Sequence, residues 1–146
     1  MSSPNPAGGP PSGAPGGKTS LGLNSNLGAM LCYIANFLCC LGIILSIIFL
    51  ITEKENRFVK FHALQSLFVF AVYVVLSIVV EILGAILGIA HLDLFSLLVT
   101  WGLGGIILFI VAILWIIGGL KAYSGQWYKL PFIGDLAFNM VNKQDA

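Results

Sequence analysis

From Leu27 to Ile51 the sequence runs without a charged residue, and two further apolar runs follow, from about His62 to Ala90 and from Leu94 to Leu120. A helix needs about 20 apolar residues to cross ~30 Å of hydrocarbon, so each run is long enough for one crossing. Composition points the same way: 58% of the chain is apolar and 9% is charged, against roughly 25% charged in a soluble domain. There is too little polar surface to cover a water-facing globule, so the lipid bilayer is the expected solvent. The expected fold is all-α, a polytopic membrane protein with three transmembrane helices at about residues 27–51, 62–90 and 94–120. The second run would measure roughly 43 Å as a helix. Either it tilts, or residues 82–90 lie at the outer interface.

The ends are of different material. Residues 1–26 are dominated by Pro, Gly and Ser, which cannot bury enough apolar area to offset their ordering entropy, and they read as a disordered tail. This is not a secretory signal, because Lys18 comes late and the run after it exceeds an h-region. The membrane domain is expected over 27–137 and a short polar tail over 138–146. Trp101 and Trp115 read as interfacial anchors of the third span, and Tyr123, Trp127 and Tyr128 as headgroup-level residues of an interfacial C-terminal segment. Pro131 and Gly134 read as breaks in regular structure there.

The dense polar stretch Thr52–Lys60 separates the first two runs, and His91-Leu92-Asp93 makes a short turn between the second and third. With three spans, Lys54, Arg57, Lys60, Lys121, Lys129 and Lys143 fall on one side and Lys18 alone on the other. Basic residues stay cytoplasmic. The expectation is a multi-pass protein of the cell membrane with its N-terminus outside and its C-terminus cytoplasmic. A net charge of +1 gives no reason to expect nucleic acid as a partner.

Within the second run His62, Ser66, Tyr73, Ser77, Gly84 and Gly88 lie within about ±40° of one line at 100° per residue, with Glu81 about 20° outside it. Gly84 and Gly88 form a GxxxG, and Ser96, Thr100 and Gly104 repeat small-residue spacing in the third run. An antiparallel hairpin turning at residues 91–93 levels Gly84 with Thr100 and Gly88 with Ser96. These small faces are helix-packing surfaces, toward each other, a second copy or another membrane protein. Asn36, deepest in the first run, is expected to bond across helices near Tyr73 and Ser77. Glu81 is an acid inside an apolar segment, roughly 28 Å up its helix, where interfacial water and a proton or cation relay are the competing accounts.

Chemistry of turnover finds no support. Cys32, Cys39 and Cys40 lack a His or carboxylate at ligand spacing, so neither a metal nor a cofactor is expected. Gly-x-Ser-x-Gly, His-Glu-x-x-His, phosphate-loop and Cys-x-x-Cys patterns are missing, and no enzymatic activity is expected.

Glu53-Lys54-x-x-x-Phe58-Val59-Lys60-Phe61-His62-Ala63-x-Gln65-Ser66, followed by Lys121-Ala122-Tyr123-x-Gly125 and Lys129-Leu130-Pro131-x-Ile133-Gly134-Asp135, resembles the signature of a family of small prokaryotic membrane proteins of unknown function. That family is grouped with the Tic-type component of the chloroplast inner-envelope import machinery. Leu31-Cys32-Tyr33 is similar to its opening, and the resemblance covers residues 27–137. It implies an integral membrane protein whose activity is uncharacterised. The two motif stretches are expected to meet in a cytoplasmic-face cluster of Arg57, Lys60, His62, Gln65, Ser66, Lys121, Tyr123 and Asp135. There Asp135 should pair with Arg57, Lys60 or His62, or cap the second span. Two functions follow from different classes: a non-enzymatic scaffold, assembly or translocation-accessory component, and a small oligomeric channel or transporter using the His62–Glu81 face.

Overall fold

The structure, a computed structural model, describes residues 15–38, 41–54 and 56–143. Residues 1–14 of the expected disordered tail, together with Cys39, Cys40 and Glu55, lie outside them. All regular elements are helical: α1 (Ser25–Ile34) continuing into a 3-10 turn (Ala35–Leu38), α2 (Leu41–Thr52), α3 (Arg57–Ile89), α4 (Asp93–Leu97), a π-helical turn (Leu98–Leu103), α5 (Gly104–Tyr123) and α6 (Ile133–Lys143). Two helical stretches, Arg57–Ile89 and Asp93–Tyr123, are long and apolar enough to cross a membrane.

The first apolar run is not a third such helix. It is two short helices that fold back on each other. Glu53, just past α2, accepts hydrogen bonds from Ser20 N at 2.9 Å and Ser20 Oγ at 3.1 Å. Phe49 lies against Gly28, where an added Cβ would come within 3.1 Å of its ring. The start of α1 therefore sits beside the end of α2. Relative to α3, α1 runs parallel: Asn56 Nδ2 donates to Ser25 Oγ at one end, and Asn36 Nδ2 donates to Ser66 Oγ (2.8 Å) further along. A first span joined by a short loop to a second would have to run antiparallel. From Ser25 to Leu38 the helical rise is only about 20 Å, less than a hydrocarbon core. Gly42 is required near the tip, since a side chain there would collide with the Asn36 side chain and lie 2.5 Å from its backbone nitrogen. Asn36 thus meets Ser66 and not Tyr73 or Ser77, because the fold-back places it ten residues from the start of α3.

The fold-back also moves the N-terminal segment. Residues 15–24, expected to be disordered, form turns docked on the bundle: Lys18 and Asn24 make a backbone bridge, and Thr19 is buried. Asn26 Nδ2 donates to Tyr123 O at 3.1 Å, tying the start of α1 to the end of α5. Lys18 consequently lies at the same end as Lys54, Lys60 and Lys121, and the expected separation of the N-terminal side from the C-terminal side does not hold.

α3 and α5 form an antiparallel hairpin turned at His91, whose φ of 59° closes the bend. Ser96 Oγ donates to Gly84 O at 2.8 Å, a Cβ on Gly84 would collide with the Thr100 hydroxyl, and one on Gly88 would sit 3.6 Å from Ser96 Oγ. Residues 82–89 continue the helix of α3. Burial is concentrated at the other end: Phe58, Val59, Phe61, Ala63, Leu64 and Val69 are buried, whereas Ile78, Val79, Ile82, Leu83 and Ile86 are exposed. Among the described residues α1, α2, α5 and α6 pack around the α3 start, and the hairpin extends beyond them.

Trp115, expected at an interface, is instead in this core, its ring 5.5 Å from Phe37 and 6.2 Å from Tyr73. Gly134 does not break structure but stands in the first turn of α6, where its missing side chain admits the Lys129 backbone. α6 runs on through residues 138–143 of the expected polar tail, of which 144–146 lie outside the described residues, and buries Ala137 and Val141 against Phe61 and Leu64.

Candidate functional site

α3 starts cleanly because Asn56 caps it, its side chain accepting from Val59 N at 3.3 Å. That start aims His62, Gln65 and Ser66 into the bundle, all fully buried. Each is completely partnered. His62 Nε2 faces the Gln126 carbonyl at 3.0 Å, and Nδ1 faces Tyr33 Oη at 3.1 Å. A carbonyl can only accept, so Nε2 carries the proton and Tyr33 donates to Nδ1. Tyr33 Oη in turn accepts from Gln65 Nε2 at 2.8 Å. Ser66 Oγ donates to Cys32 O at 2.6 Å and accepts from Asn36.

Gln65 does more than join this chain of bonds. Its Nε2 also donates to Tyr128 O at 3.1 Å, and its Oε1 accepts from Leu130 N at 3.1 Å. The side-chain amide acts as a short piece of neighbouring strand for the irregular segment 124–131, which forms a strap across the start of α3. Aromatic rings close the remaining space. Phe58 and Phe61 stand 4.7 and 4.9 Å from the His62 ring, and Trp127 packs against both phenylalanines and Phe138.

The two motif stretches therefore meet, but only some of the expected cluster takes part. Asp135 pairs with Lys129 at 2.9 Å, both exposed, not with Arg57, Lys60 or His62, and the cap of α3 is Asn56. Lys129 is close at hand across the turn into α6, which decides the pairing. Lys121 lies over the Tyr128 ring at 5.6 Å, and Tyr123 is exposed and contributes only its carbonyl. Lys60 is half-buried at the rim. The sequence reading missed Tyr33, Ser25 and Asn56. Their signal was present: each is a polar side chain within or bordering an apolar helix.

Glu81 belongs to a separate place. It borders a groove of ≈ 240 Å³ between α3 and the π-helical turn, with Tyr73, Ser77, Trp101, Gly104 and Gly105. Between it and His62, Phe70, Tyr73 and Trp115 pack ring on ring. Chemically, the buried network is a clamp: neither imidazole nitrogen of His62 is free to take or give a proton. Cys32 is buried with its thiol on Gly28 O at 3.4 Å.

Comparison with known proteins places residues 24–137 within the model of a family described as the magnetosome magnetite crystal formation protein family. The chain is also 41% identical to a UPF0132 membrane protein of Methanocaldococcus jannaschii over 83% of its own length and 92% of the relative's. A second UPF0132 membrane protein of that organism is 36% identical over 81% of the chain and 71% of the relative. One from Archaeoglobus fulgidus is 38% identical over 69% of the chain and 85% of the relative. No solved structure matches.

Proposed function

This chain belongs to the magnetosome magnetite crystal formation protein family, one of small prokaryotic membrane proteins, and on that premise we propose that it serves as a non-enzymatic membrane scaffold or assembly component. The observation that carries this reading is the use made of the motif side chains. His62, Gln65 and Ser66 direct their side-chain nitrogen and oxygen atoms inward, at Tyr33, Asn36, Cys32 and the strap. The buried polar side chains of the strongest motif in the sequence go into building a platform, which supports a structural role.

The platform carries α6 with Leu136 and Met140 exposed and Phe132 exposed in the turn before it, an apolar row suited to a second copy or another membrane protein. An accessory role in protein translocation, implied by the resemblance to the Tic-type component, is the narrowest form of this reading. The geometry also supports a revised orientation in the cell membrane. Lys18, Lys54, Arg57, Lys60, Lys121, Lys129 and Lys143 gather at the strapped end, and the turn at residues 91–93 has no Lys or Arg. By the preference of basic residues for the cytoplasm, both termini lie inside.

Photo-crosslinkers at Leu136 and Met140 in native membranes test the scaffold role. A defined protein adduct is expected, weakened in Gln65→Leu, where the strap is released. No protein adduct at either position, with ion flux in proteoliposomes that Glu81→Gln abolishes, would replace the scaffold with a channel.

A further inference from the structure

Glu81 is an acid without a counterion of its own. Its groove opens on the apolar part of the hairpin, while every Lys and Arg of the chain lies at the strapped end. The nearest along α3, Lys60, is about 32 Å away at 1.5 Å per residue. Glu81 is exposed beside Ile78, Ile82 and Leu83, and where this face meets hydrocarbon its carboxylate favours a cation from outside the chain.

The surroundings say what sort of cation. Trp101 borders the same groove and is 75% exposed, so the face of its indole is available to a positive charge. The opposite wall is low: a Cβ on Gly105 would meet nothing within 4 Å. The remaining lining carries the uncharged hydroxyls of Tyr73, Ser77 and Thr100 and an apolar strip of Val80, Ile107 and Leu108. A lone carboxylate supplies too few oxygens for calcium or magnesium, which want six or more. With no basic side chain nearby, a phosphate or carboxylate on the ligand would go unpaired. The π-helical turn Leu98–Leu103 supplies Thr100 and Trp101 to the groove, and such turns recur at functional sites.

We propose that the groove binds an amphiphilic ammonium compound, its cationic head held between the Glu81 carboxylate and the Trp101 indole and its alkyl chain lying along Val80, Ile107 and Leu108. This goes beyond the scaffold reading and does not depend on it, since the strap and α6 lie at the other end of the molecule.

The test uses the full chain in phosphatidylcholine nanodiscs with radiolabelled dodecyltrimethylammonium as probe, empty nanodiscs being subtracted. Saturable binding is expected despite the excess of lipid choline. Glu81→Gln should weaken it about tenfold or more, and Trp101→Leu about threefold to fivefold, the range of a cation–π contact. Gly105→Leu fills the groove but keeps the carboxylate, and should abolish binding. Gly102→Leu, which adds the same bulk outside the groove, should leave it unchanged. Thermal melts confirm that each variant is folded. Binding that survives both Glu81→Gln and Gly105→Leu overturns the proposal. So does a phospholipid retained at Glu81 in native mass spectra, or a disulfide between two chains through Trp101→Cys, since either assigns the groove to a different occupant.

Discussion

The side chain of Gln65 holds the backbone of Leu130, 65 residues further along, through a buried hydrogen bond of 3.1 Å. The same amide holds the Tyr128 carbonyl and the Tyr33 hydroxyl. Replacing it with leucine keeps the volume and takes this partner from Leu130 N and the Tyr128 carbonyl, while the Tyr33 hydroxyl keeps His62. Each such orphan costs about 1–3 kcal/mol, so Gln65→Leu should destabilise the strapped end by roughly 2–4 kcal/mol. Limited proteolysis reads this directly: cleavage should appear between Ser124 and Pro131 in the variant and not in the parent. A strap equally resistant in both would remove Gln65 from its role.

Glycines in α5 should differ sharply in their tolerance. A Cβ on Gly118 would fall 2.6 Å from Tyr33 Cε1, and that ring is fixed by His62 and Gln65. Gly118→Ala should therefore lose about 1–3 kcal/mol through overpacking. Gly105→Ala meets nothing within 4 Å, and should be neutral or slightly stabilising. Thermal melts in one detergent compare the two, and equal melting temperatures would contradict this packing.

In the hairpin, Gly84→Leu should separate α3 from Thr100 and destabilise by at least ~1–3 kcal/mol, as overpacking does. Val79→Leu, on an exposed face, should be silent. Ser96→Ala removes only the bond to Gly84 O, worth about 0.6 kcal/mol in a membrane interior. That rank order, read from melts, is the check.

Orientation is tested by single cysteines at Gly17, Leu92 and Lys143 in a background with the native three replaced. Gly17 and Lys143 should resist an impermeant thiol reagent in intact cells and react after lysis, whereas Leu92 should react at once. Labelling of the Gly17 site in intact cells would restore an external N-terminus.

The hairpin register was legible because small residues at fixed spacing leave few ways for two helices to touch, and Gly84, Gly88, Ser96 and Thr100 allowed one. The inward face of α3 was legible from His62 and Ser66, whose polarity inside an apolar run demands partners. The fold-back of residues 27–51 was not. Hydropathy scores one crossing and two half-length helices alike when neither contains a charge, and the distinguishing feature is the collision of Asn36 with any side chain at Gly42. The side of Lys18 depends on whether the first run crosses, so the proposed orientation changes with it. Asp135 was misassigned because charge gives the sign of a partner and not its distance, and Lys129 is nearer than α3.

The fold-back gives the molecule unequal ends. At the strapped end α1, α2, α3 and α5 stand side by side, and at the other only the α3–α5 hairpin remains. Each helix is about 10 Å across, so a bilayer crossed by the hairpin alone would hold more helix cross-sections in the leaflet at the strapped end than in the other. Many copies set side by side in a bilayer would accumulate that difference in area as spontaneous curvature, with the convex surface on the basic side.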